Sequence, residues 1–391
     1  MKKIIYINSV YFNEISGQGS FERNFLSFLE ESKDLKDVMI FSVNKNKNEI
    51  NQNIISLKLN KNVKLSYLTY QLNLLYYLFK ELYGEKRQIV IYVRLAPYNI
   101  VPFFLLSFFN ISIVCRSGPI YQNLTSYKKV KAKKLLFIFK KLLKFYYTRS
   151  KSIIVVTDKI KDILMRDFNL SSDKIKVISN PINNSLFETE VNVNEIRQKL
   201  NINPKVKVIG FVGDIYEGQG VQNIFSAITL IRDKFPIENI YIIIVGSGSY
   251  LDNCKSKVKE LNLDKNVLFL GRVTPDKVVQ YISIFDICMA PFTQDDYAIK
   301  GSSALKVLEY LYCNKFVITI DVKEYKFIEE NHFGLLYEID NIADLSNTLI
   351  RSLNMSHNIK SKDYVNRYYS KSKVYTKYLE IIKNCRDVKQ F

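Results

Sequence analysis

Strand-like and helix-like segments alternate along the whole chain, and this alternation limits the folds open to it. The strand-like segments are short apolar runs rich in Ile and Val, as in Gln88–Val93, Val206–Val212 and Tyr241–Val245. Apolar residues on both faces are typical of strands buried inside a parallel sheet. The helix-like segments between them supply the crossover connections that parallel strands need. The pattern predicts an α/β protein with Rossmann-like, doubly wound parallel sheets.

Chain length and the position of turn-forming residues predict two such domains. A chain of 391 residues exceeds the usual size of one domain. The rhythm breaks at Ser179–Phe187, where Pro and Asn cluster, so we place a boundary near Asn180. We therefore expect domains at 1–180 and 181–370. A helical tail at 371–391 is expected to pack back toward the first domain.

The few histidines and the scattered cysteines exclude several functional classes. None of the five cysteines forms a C-x-x-C pair, and the two histidines, His332 and His357, are far apart. No zinc site and no histidine-based triad can be built from them, and we expect no metal. Asp295 and Asp296 are interpreted as part of a solvated loop. The first residues lack a signal-peptide cleavage site, and no apolar run is long enough to span a membrane, so we expect a cytoplasmic protein.

Positive charge is concentrated in the first half of the chain. Residues 1–180 carry 30 Lys and Arg against 13 Asp and Glu, whereas 181–391 carry 27 against 25. The segment 128–151 predicts a basic amphipathic helix, whose lysines could form only a solvated face. No acidic residue occurs between Glu85 and Asp158, which favours additional contact with the inner face of an anionic membrane. No nucleic-acid module is recognisable, so we expect no such partner.

The stretch Lys300–Asp321 predicts a loop, a short helix and a strand. Ser302 or Ser303 is a good N-cap, and the start of such a helix offers free N–H groups to an anion. Glu309 lies on this mostly apolar helix, where a lone carboxylate costs free energy unless it has a partner. Two interpretations stand: an exposed ion pair with Lys306 at i, i+3, or a carboxylate that binds ligand hydroxyls.

Other candidate ligand-binding residues follow predicted strands. Glycine-rich loops occur at 16–20, 213–220 and 246–249, where glycine would let a ligand approach the backbone. For the loop at 16–20 a plain tight turn is an equal alternative. Arg94 and Arg116 end two strands of the first half. In open α/β sheets ligands bind beyond the carboxyl ends of the strands, so these arginines are candidates too. The alternative is that both lie in solvent at the rim.

The order of these motifs resembles the retaining glycosyltransferases of glycosyltransferase family four. The segments that carry the resemblance are IIVVTDKIKDILMRDF, FVGDIYEGQGV, IIVGSGS, NVLFLGRV, YISIFDICMAPF, SALKVLEYLYCNKFVIT and HFGLLYEIDN. Each is weak by itself, but their order and spacing are specific and cover nearly the whole chain. The resemblance implies the GT-B arrangement, with two Rossmann-like domains facing across a cleft.

The resemblance also implies a function and a set of site residues. The chain would be a metal-independent hexosyltransferase of surface polysaccharide synthesis (capsule or lipopolysaccharide) that needs no cofactor. The second domain would bind a nucleoside-diphosphate sugar and the first a lipid-linked glycan acceptor. Glu309 would bind the donor ribose. The other implied donor-binding residues are Gly17, Gly19, Gly213, Asp214, Gln219, Gly246, Gly248, Arg272, Ser302, Ser303, Ala304, Leu305 and Lys306; Arg94 and Arg116 would bind the acceptor.

Three positions depart from the family pattern. Many members carry Arg and Lys, which grip the diphosphate, where this chain has Asp214 and Gln219, and a glutamate where it has Gly301. We hypothesise that Arg116, Lys300 and Lys306 supply the missing positive charge, and that Glu309, Arg116 and Lys300 form the catalytic set. The departures also support an alternative, a non-catalytic accessory or scaffold protein of a glycan assembly system. An oxidoreductase is disfavoured because no G-x-G-x-x-G follows the first strand.

Overall fold

The computed structural model describes residues 3–7, 24–25, 28, 38–43, 54–57, 63–84, 89–94, 112–116, 133–301 and 305–384. The chain divides into two compact units. The first is Met1–Pro181 together with Lys371–Phe391, and the second is Ile182–Ser370. Each unit contains one sheet, and all the strand pairs that the structure describes are parallel. The prediction of two doubly wound α/β domains is confirmed.

The first unit contains a seven-stranded sheet in the order β3-β2-β1-β4-β5-β6-β7. Its strands are β1 (Lys3–Ile7), β2 (Val38–Val43), β3 (Ile54–Leu57), β4 (Ile89–Arg94), β5 (Ser112–Arg116), β6 (Ser152–Val155) and β7 (Ile175–Val177). The helices whose full extent the structure describes in this unit are α1 (Val63–Gly84), α2 (Lys133–Arg149), α3 (Asp158–Phe168) and, from the end of the chain, α13 (Lys371–Asn384).

Side chains alternate across the first sheet, so both faces are buried. Ile5 and Ile91 belong to the core cluster that contains residues of α1, α2 and α3. Ile4 and Tyr92 belong to a second cluster, which contains Tyr378 and other residues of α13. This period of two explains why the strands appear in the sequence as continuous apolar runs. The last helix of the chain thus covers one face of the first sheet.

The second unit contains a six-stranded sheet in the order β10-β9-β8-β11-β12-β13. Its strands are β8 (Lys207–Val212), β9 (Ile240–Val245), β10 (Val267–Gly271), β11 (Ile287–Ala290), β12 (Phe316–Ile320) and β13 (Gly334–Tyr337). Its helices are α4 (Val193–Lys199), α5 (Val221–Leu230), α6 (Leu251–Glu260), α7 (Pro275–Ile284), α8 (Gln294–Lys300), α9 (Leu305–Tyr312), α10 (Lys326–Glu330), α11 (Ile342–Leu353) and α12 (Lys362–Tyr369).

The strand order of the second sheet reverses between β8 and β11. From β8 the chain proceeds outward to β9 and β10, whereas from β11 it proceeds the other way to β12 and β13. Crossovers therefore leave this point in opposite directions, and a crevice forms beyond the carboxyl ends of β8 and β11, where doubly wound sheets bind ligands. The loops that start at Gly213 and Pro291 lie at this edge.

The basic helix predicted at 128–151 is present as α2. Leu143 and Tyr146 on its apolar face are buried in the core of the first unit. Phe137 and Ile138 lie on a side of the same helix that faces away from this core, and 60% and 53% of their surfaces are exposed. Among the helices that the structure describes, none is long and apolar enough to cross a membrane.

Candidate functional site

The candidate site is built on the carboxyl edge of the second sheet, where the strand order reverses. The loop 213–220 follows β8, the loop 246–249 follows β9, and α8 and α9 follow β11. Nine of the residues predicted from the sequence lie on these elements or on the loop after β10. They are Gly213, Asp214, Gln219, Gly246, Gly248, Arg272, Leu305, Lys306 and Glu309.

Two glycines allow the first two loops to pack backbone against backbone. Gly213 has φ +148° and Gly246 has φ +140°, values that side-chain-bearing residues rarely adopt. A Cβ on Gly246 would lie 1.8 Å from the carbonyl oxygen of Gly213. The N–H of Gly213 donates to Val245 O at 3.0 Å. These glycines are therefore required for loop packing, whatever ligand the loops hold.

Helix α9 is fixed to the sheet by its apolar face and by one hydroxyl. Val307 and Leu311 are buried, as their helical spacing predicts. The hydroxyl of Tyr310 accepts a hydrogen bond from the backbone N–H of Val212 at 2.8 Å. It also approaches Met289 O, to which it donates at 3.4 Å. The sequence did not identify Tyr310 as a functional residue, because its only signal was an apolar helix position.

The carboxyl of Glu309 is held in an unusual electrostatic environment. Part of the residue stays accessible, yet the surrounding protein withdraws the carboxyl from water and raises its pKa to about 7, an effect that the positive charge of Lys306 partly opposes. Among residues 133–301 and 305–384, this carboxyl forms no hydrogen bond or ion pair. Its oxygens therefore have acceptor capacity for a ligand.

Lys306 does not form the ion pair with Glu309 that was one interpretation of the sequence. Its ammonium instead donates a hydrogen bond to Oε1 of Gln219. The ammonium lies 4.0 Å from the ring centroid of Phe211 and 5.3 Å from that of Phe292. A Cβ on Gly213 would lie 2.9 Å from this nitrogen. The positive charge therefore lies beside the end of β8.

Gln219 is itself part of a longer chain of hydrogen bonds. It is buried, and its Nε2 donates to the hydroxyl of Tyr216 at 2.5 Å. That hydroxyl donates to Oδ2 of Asp296 at 3.2 Å. The interpretation of Asp296 as part of a solvated loop is wrong, because it lies in the first turn of α8, which Thr293 caps. Tyr216 and Asp296 were missed because they are 80 residues apart in the sequence.

Asp214 and Arg272 form an exposed ion pair at the same edge. Nη2 of Arg272 lies 3.3 Å from Oδ1 of Asp214, and their side chains are 69% and 74% exposed. Such a pair contributes little to stability because water screens it. The negative charge that replaces the family's usual arginine is thus matched by a neighbouring arginine from the loop after β10.

Gly301 has a backbone conformation that only glycine adopts readily. Its φ is 64° and its ψ is −171°. A glutamate at this position, as in many members of the resembled family, would be strained. The local backbone thus gives a physical reason for this departure from the family pattern.

Arg94 and Arg116 are neighbours in the first sheet. They are paired in register at the carboxyl ends of β4 and β5. Arg116 is only 8% exposed, donates to Oδ1 of Asn180 at 2.8 Å, and has its guanidinium carbon 5.9 Å from the ring centroid of Tyr378. Arg116 is therefore not a rim residue in solvent. The side chain of Arg94 lies outside the described part.

Most of the remaining predicted residues lie in parts of the chain that the structure does not describe. Gly17, Gly19, Ser302, Ser303 and Ala304 lie outside the described residues, as does the side chain of Lys300. Leu305 is the first residue of α9. Within the described part of the chain, no group of three or more His, Cys, Asp or Glu is placed to hold a metal ion.

A family model described as "Glycosyl transferases group 1" matches residues 192–371. These residues are nearly the whole of the second unit and contain every residue of the candidate site described above. The second unit is therefore similar to the glycosyl transferases of group 1. This match agrees with the resemblance found in the sequence as far as the broader class, the glycosyl transferases of group 1, is concerned.

Curated relatives match part of the chain. An uncharacterized glycosyltransferase of Methanocaldococcus jannaschii is 26% identical over 156 residues, which are 39% of each chain. A D-inositol 3-phosphate glycosyltransferase of Corynebacterium glutamicum is 25% identical over 39% of this chain and 38% of its own. The UDP-Gal:alpha-D-GlcNAc-diphosphoundecaprenol alpha-1,3-galactosyltransferase of Escherichia coli is 21% identical over 58% of this chain and 57% of its own. The match thus spans less than two thirds of each relative.

Solved structures extend the likeness beyond the region that the family model matches to nearly the whole chain. A glycosyltransferase from Rickettsia africae ESF-5 has a TM-score of 0.71 at 17% identity, covering 98% of both chains. An Anabaena protein solved in complex with UDP has a TM-score of 0.71 at 14% identity, covering 97% of this chain and 99% of its own. At these identities the likeness shows the fold, which is of the GT-B class.

Proposed function

We propose that this protein is a glycosyltransferase that moves a sugar from a nucleoside-diphosphate sugar to a hydroxyl of a glycan acceptor. The observation that carries the proposal is the carboxyl of Glu309, which forms no hydrogen bond or ion pair within 133–301 and 305–384 and lies on a helix that Tyr310 links to the end of β8. A carboxylate can accept hydrogen bonds from two vicinal hydroxyls, as a ribose presents. The ammonium of Lys306 lies on the same helix and provides charge for a diphosphate.

The donor would bind at the carboxyl edge of the second sheet. Glu309 would hold the ribose, and the start of α9 at Leu305, with the serines before it, would offer N–H groups to the diphosphate. The Anabaena structure was solved with UDP, which supports a nucleoside diphosphate as the ligand class. The base and the sugar stay open in this proposal.

The acceptor would be a lipid-linked glycan bound by the first unit. The Escherichia coli relative is named for an acceptor on diphosphoundecaprenol, and the excess of Lys and Arg in residues 1–180 suits a lipid diphosphate. Arg94 and Arg116 are the proposed acceptor-side residues, because their register brings two cationic residues to one sheet edge. Surface polysaccharide assembly would be the corresponding role.

Catalysis would come from alignment of the two substrates and from stabilisation of the departing diphosphate. Following the resemblance, we propose retention of the anomeric configuration, without a protein general base, a metal or a cofactor. Lys300 and Arg116 are proposed as further cations for the leaving group. Reversal of the charge at Lys300 should then abolish donor binding, whereas unchanged affinity would remove this residue from the set.

The first unit would also contact the inner surface of the membrane. Phe137 and Ile138 of α2 are exposed large apolar side chains. Lys141 and Lys144 lie exposed on the same helix. Exposed apolar side chains flanked by lysines suit the interface of an anionic bilayer. We therefore propose a cytoplasmic protein that associates peripherally with the membrane.

A donor screen tests the activity. Purified protein is incubated with a panel of nucleotide sugars, with and without a lipid-linked diphosphate acceptor, and released nucleoside diphosphate is measured. Release from one donor that rises with acceptor, and falls at least about tenfold in Glu309→Ala, is the expected result. No release from any donor, with no binding of any nucleoside diphosphate, would instead support the accessory-protein alternative, which Asp214, Gln219 and Gly301 favour.

A further inference from the structure

Three neutral groups contact the ammonium of Lys306. Oε1 of Gln219 accepts its hydrogen bond, and the rings of Phe211 and Phe292 present their electron-rich faces to it. These contacts orient the ammonium without cancelling its charge. A lysine on an open surface would lose side-chain entropy when it binds an anion, whereas this one is already ordered.

The Gln219 amide can orient the lysine only if the amide itself is fixed. An amide can rotate by half a turn and present its NH₂ group to the ammonium, which would repel it. Nε2 of Gln219 donates to the hydroxyl of Tyr216 at 2.5 Å. Rotation of the amide would break this hydrogen bond. The amide oxygen therefore points toward Lys306.

The direction of the Tyr216 hydroxyl is determined by Asp296. An ionised carboxylate can only accept, so the hydroxyl donates to Oδ2 of Asp296 at 3.2 Å and accepts from Nε2 of Gln219. Asp296 is positioned by α8, whose first turn is capped by Thr293. Thr293 N also donates to Gly218 O at 3.1 Å, which ties this helix to the loop that carries Gln219.

We propose that Tyr216 is a positioning residue for the donor diphosphate. Its hydroxyl transmits the fixed orientation of Asp296 through the amide of Gln219 to the ammonium of Lys306, which contacts the diphosphate beside Gly213. This inference rests on the proposed function, because it takes the nucleoside diphosphate as the ligand. It adds that the strength of the diphosphate contact depends on a hydroxyl that does not touch the ligand.

The test is calorimetric titration of the full chain with the nucleoside diphosphate that binds best, and with the corresponding nucleoside. Lys306→Gln should weaken diphosphate binding by about 10- to 100-fold, the range expected for loss of a charged hydrogen bond. Tyr216→Phe, which removes only the hydroxyl, should weaken it by about 3- to 10-fold. Neither change should alter affinity for the uncharged nucleoside by more than about twofold.

Two further variants separate positioning from a general structural role. Tyr216→Phe combined with Lys306→Gln should bind the diphosphate no more weakly than Lys306→Gln alone, because the hydroxyl acts only through the ammonium. Tyr297→Phe is the matched control, because its hydroxyl lies on the same helix α8 as Asp296 but donates to Glu324 at 3.1 Å. It should leave both affinities unchanged.

The outcomes distinguish this inference from the function on which it rests. If wild-type protein binds no nucleoside diphosphate, the proposed function is overturned and this inference with it. If wild-type protein binds the nucleoside diphosphate and both Tyr216→Phe and Lys306→Gln bind it as tightly as wild type does, only the positioning role is overturned. The same holds if Tyr216→Phe weakens nucleoside and diphosphate binding alike, or if the combined variant binds the diphosphate more weakly than Lys306→Gln alone while its thermal unfolding matches wild type.

Discussion

The hydroxyl of Tyr310 accepts a 2.8 Å hydrogen bond from the backbone N–H of Val212. Tyr310 follows Glu309 on α9, and Val212 is the last residue of β8, directly before the Gly213 loop. Since Tyr310 is fully buried, water cannot replace this bond. One hydroxyl thus links the helix that bears the proposed ribose-binding carboxyl to the loop that lies beside it.

Tyr310→Phe should destabilise the second unit. The change leaves the N–H of Val212 without its partner in a buried position, which costs about 1–3 kcal/mol. Faster hydrogen exchange in 305–312 should accompany lower resistance to urea. Tyr337→Phe is the matched control, because the Tyr337 hydroxyl is buried without any hydrogen-bond partner, and its loss should be neutral or slightly stabilising. Equal effects of the two variants would contradict the assigned role.

The raised pKa of Glu309 predicts opposite pH dependences of stability and ligand binding. The carboxyl has a pKa of about 7 in the folded protein, against an ordinary value of 4.5. The folded state therefore holds this proton more tightly, and the group's contribution to stability is full below about pH 4.5 and is lost as pH rises through about 7. The free energy of unfolding of wild type should thus fall by about 1–3 kcal/mol relative to that of Glu309→Gln over this pH range.

Binding of an intact nucleotide sugar should show the reverse trend. The ionised carboxylate accepts hydrogen bonds from both ribose hydroxyls, so affinity should rise through about pH 7 and then level off. The phosphates of an intact nucleotide sugar stay ionised across this range and do not obscure the effect. Glu309→Gln should bind weakly with a flat pH profile. A wild-type profile parallel to that of the variant would show that this carboxyl does not titrate during binding.

Gly246→Ala should disrupt the site through its backbone. The added Cβ would lie 1.8 Å from Gly213 O at a φ of +140°, so both loops must move, at a cost of at least about 3 kcal/mol. Gly271→Ala is the matched control: its φ is +69°, but nothing lies within 4 Å of its Cβ, so only about 1–2 kcal/mol of backbone strain is expected. Thermal unfolding of both variants measures the difference, and similar losses would contradict the packing argument.

The sequence predicted the fold better than it predicted the contacts within the site. Continuous apolar strands and the helices between them are local signals, and they were sufficient for two parallel sheets. Glu309 was also recognisable, because a carboxylate on an apolar helix is a local anomaly. The partner of Lys306 was not, since the i, i+3 rule favoured Glu309 and the observed acceptor, Gln219, is 87 residues away. Sequence spacing carries no information about such contacts.

The exposed apolar side chains of α2 should contribute to membrane binding. Phe137→Gln with Ile138→Gln removes two side chains, each worth about 1.5–3 kcal/mol when fully buried in an apolar phase, so partitioning onto anionic vesicles should fall at least tenfold, by about 1.4 kcal/mol or more. Leu72→Gln with Tyr76→Gln on α1 is the matched control, since those residues are similarly exposed. Equal losses from the two pairs, or no sedimentation of wild type with the vesicles, would contradict this role of α2.

Hydrogen exchange with and without a nucleoside diphosphate tests the central claim most directly, because it shows where on the chain a nucleotide binds. The account predicts that a saturating nucleoside diphosphate slows exchange of backbone amides in 213–220, 246–250 and 305–312, and that Glu309→Ala abolishes this protection. Protection confined to other segments, or binding that leaves these three unchanged, would contradict the claim that the nucleotide rests at the end of β8 beside Glu309.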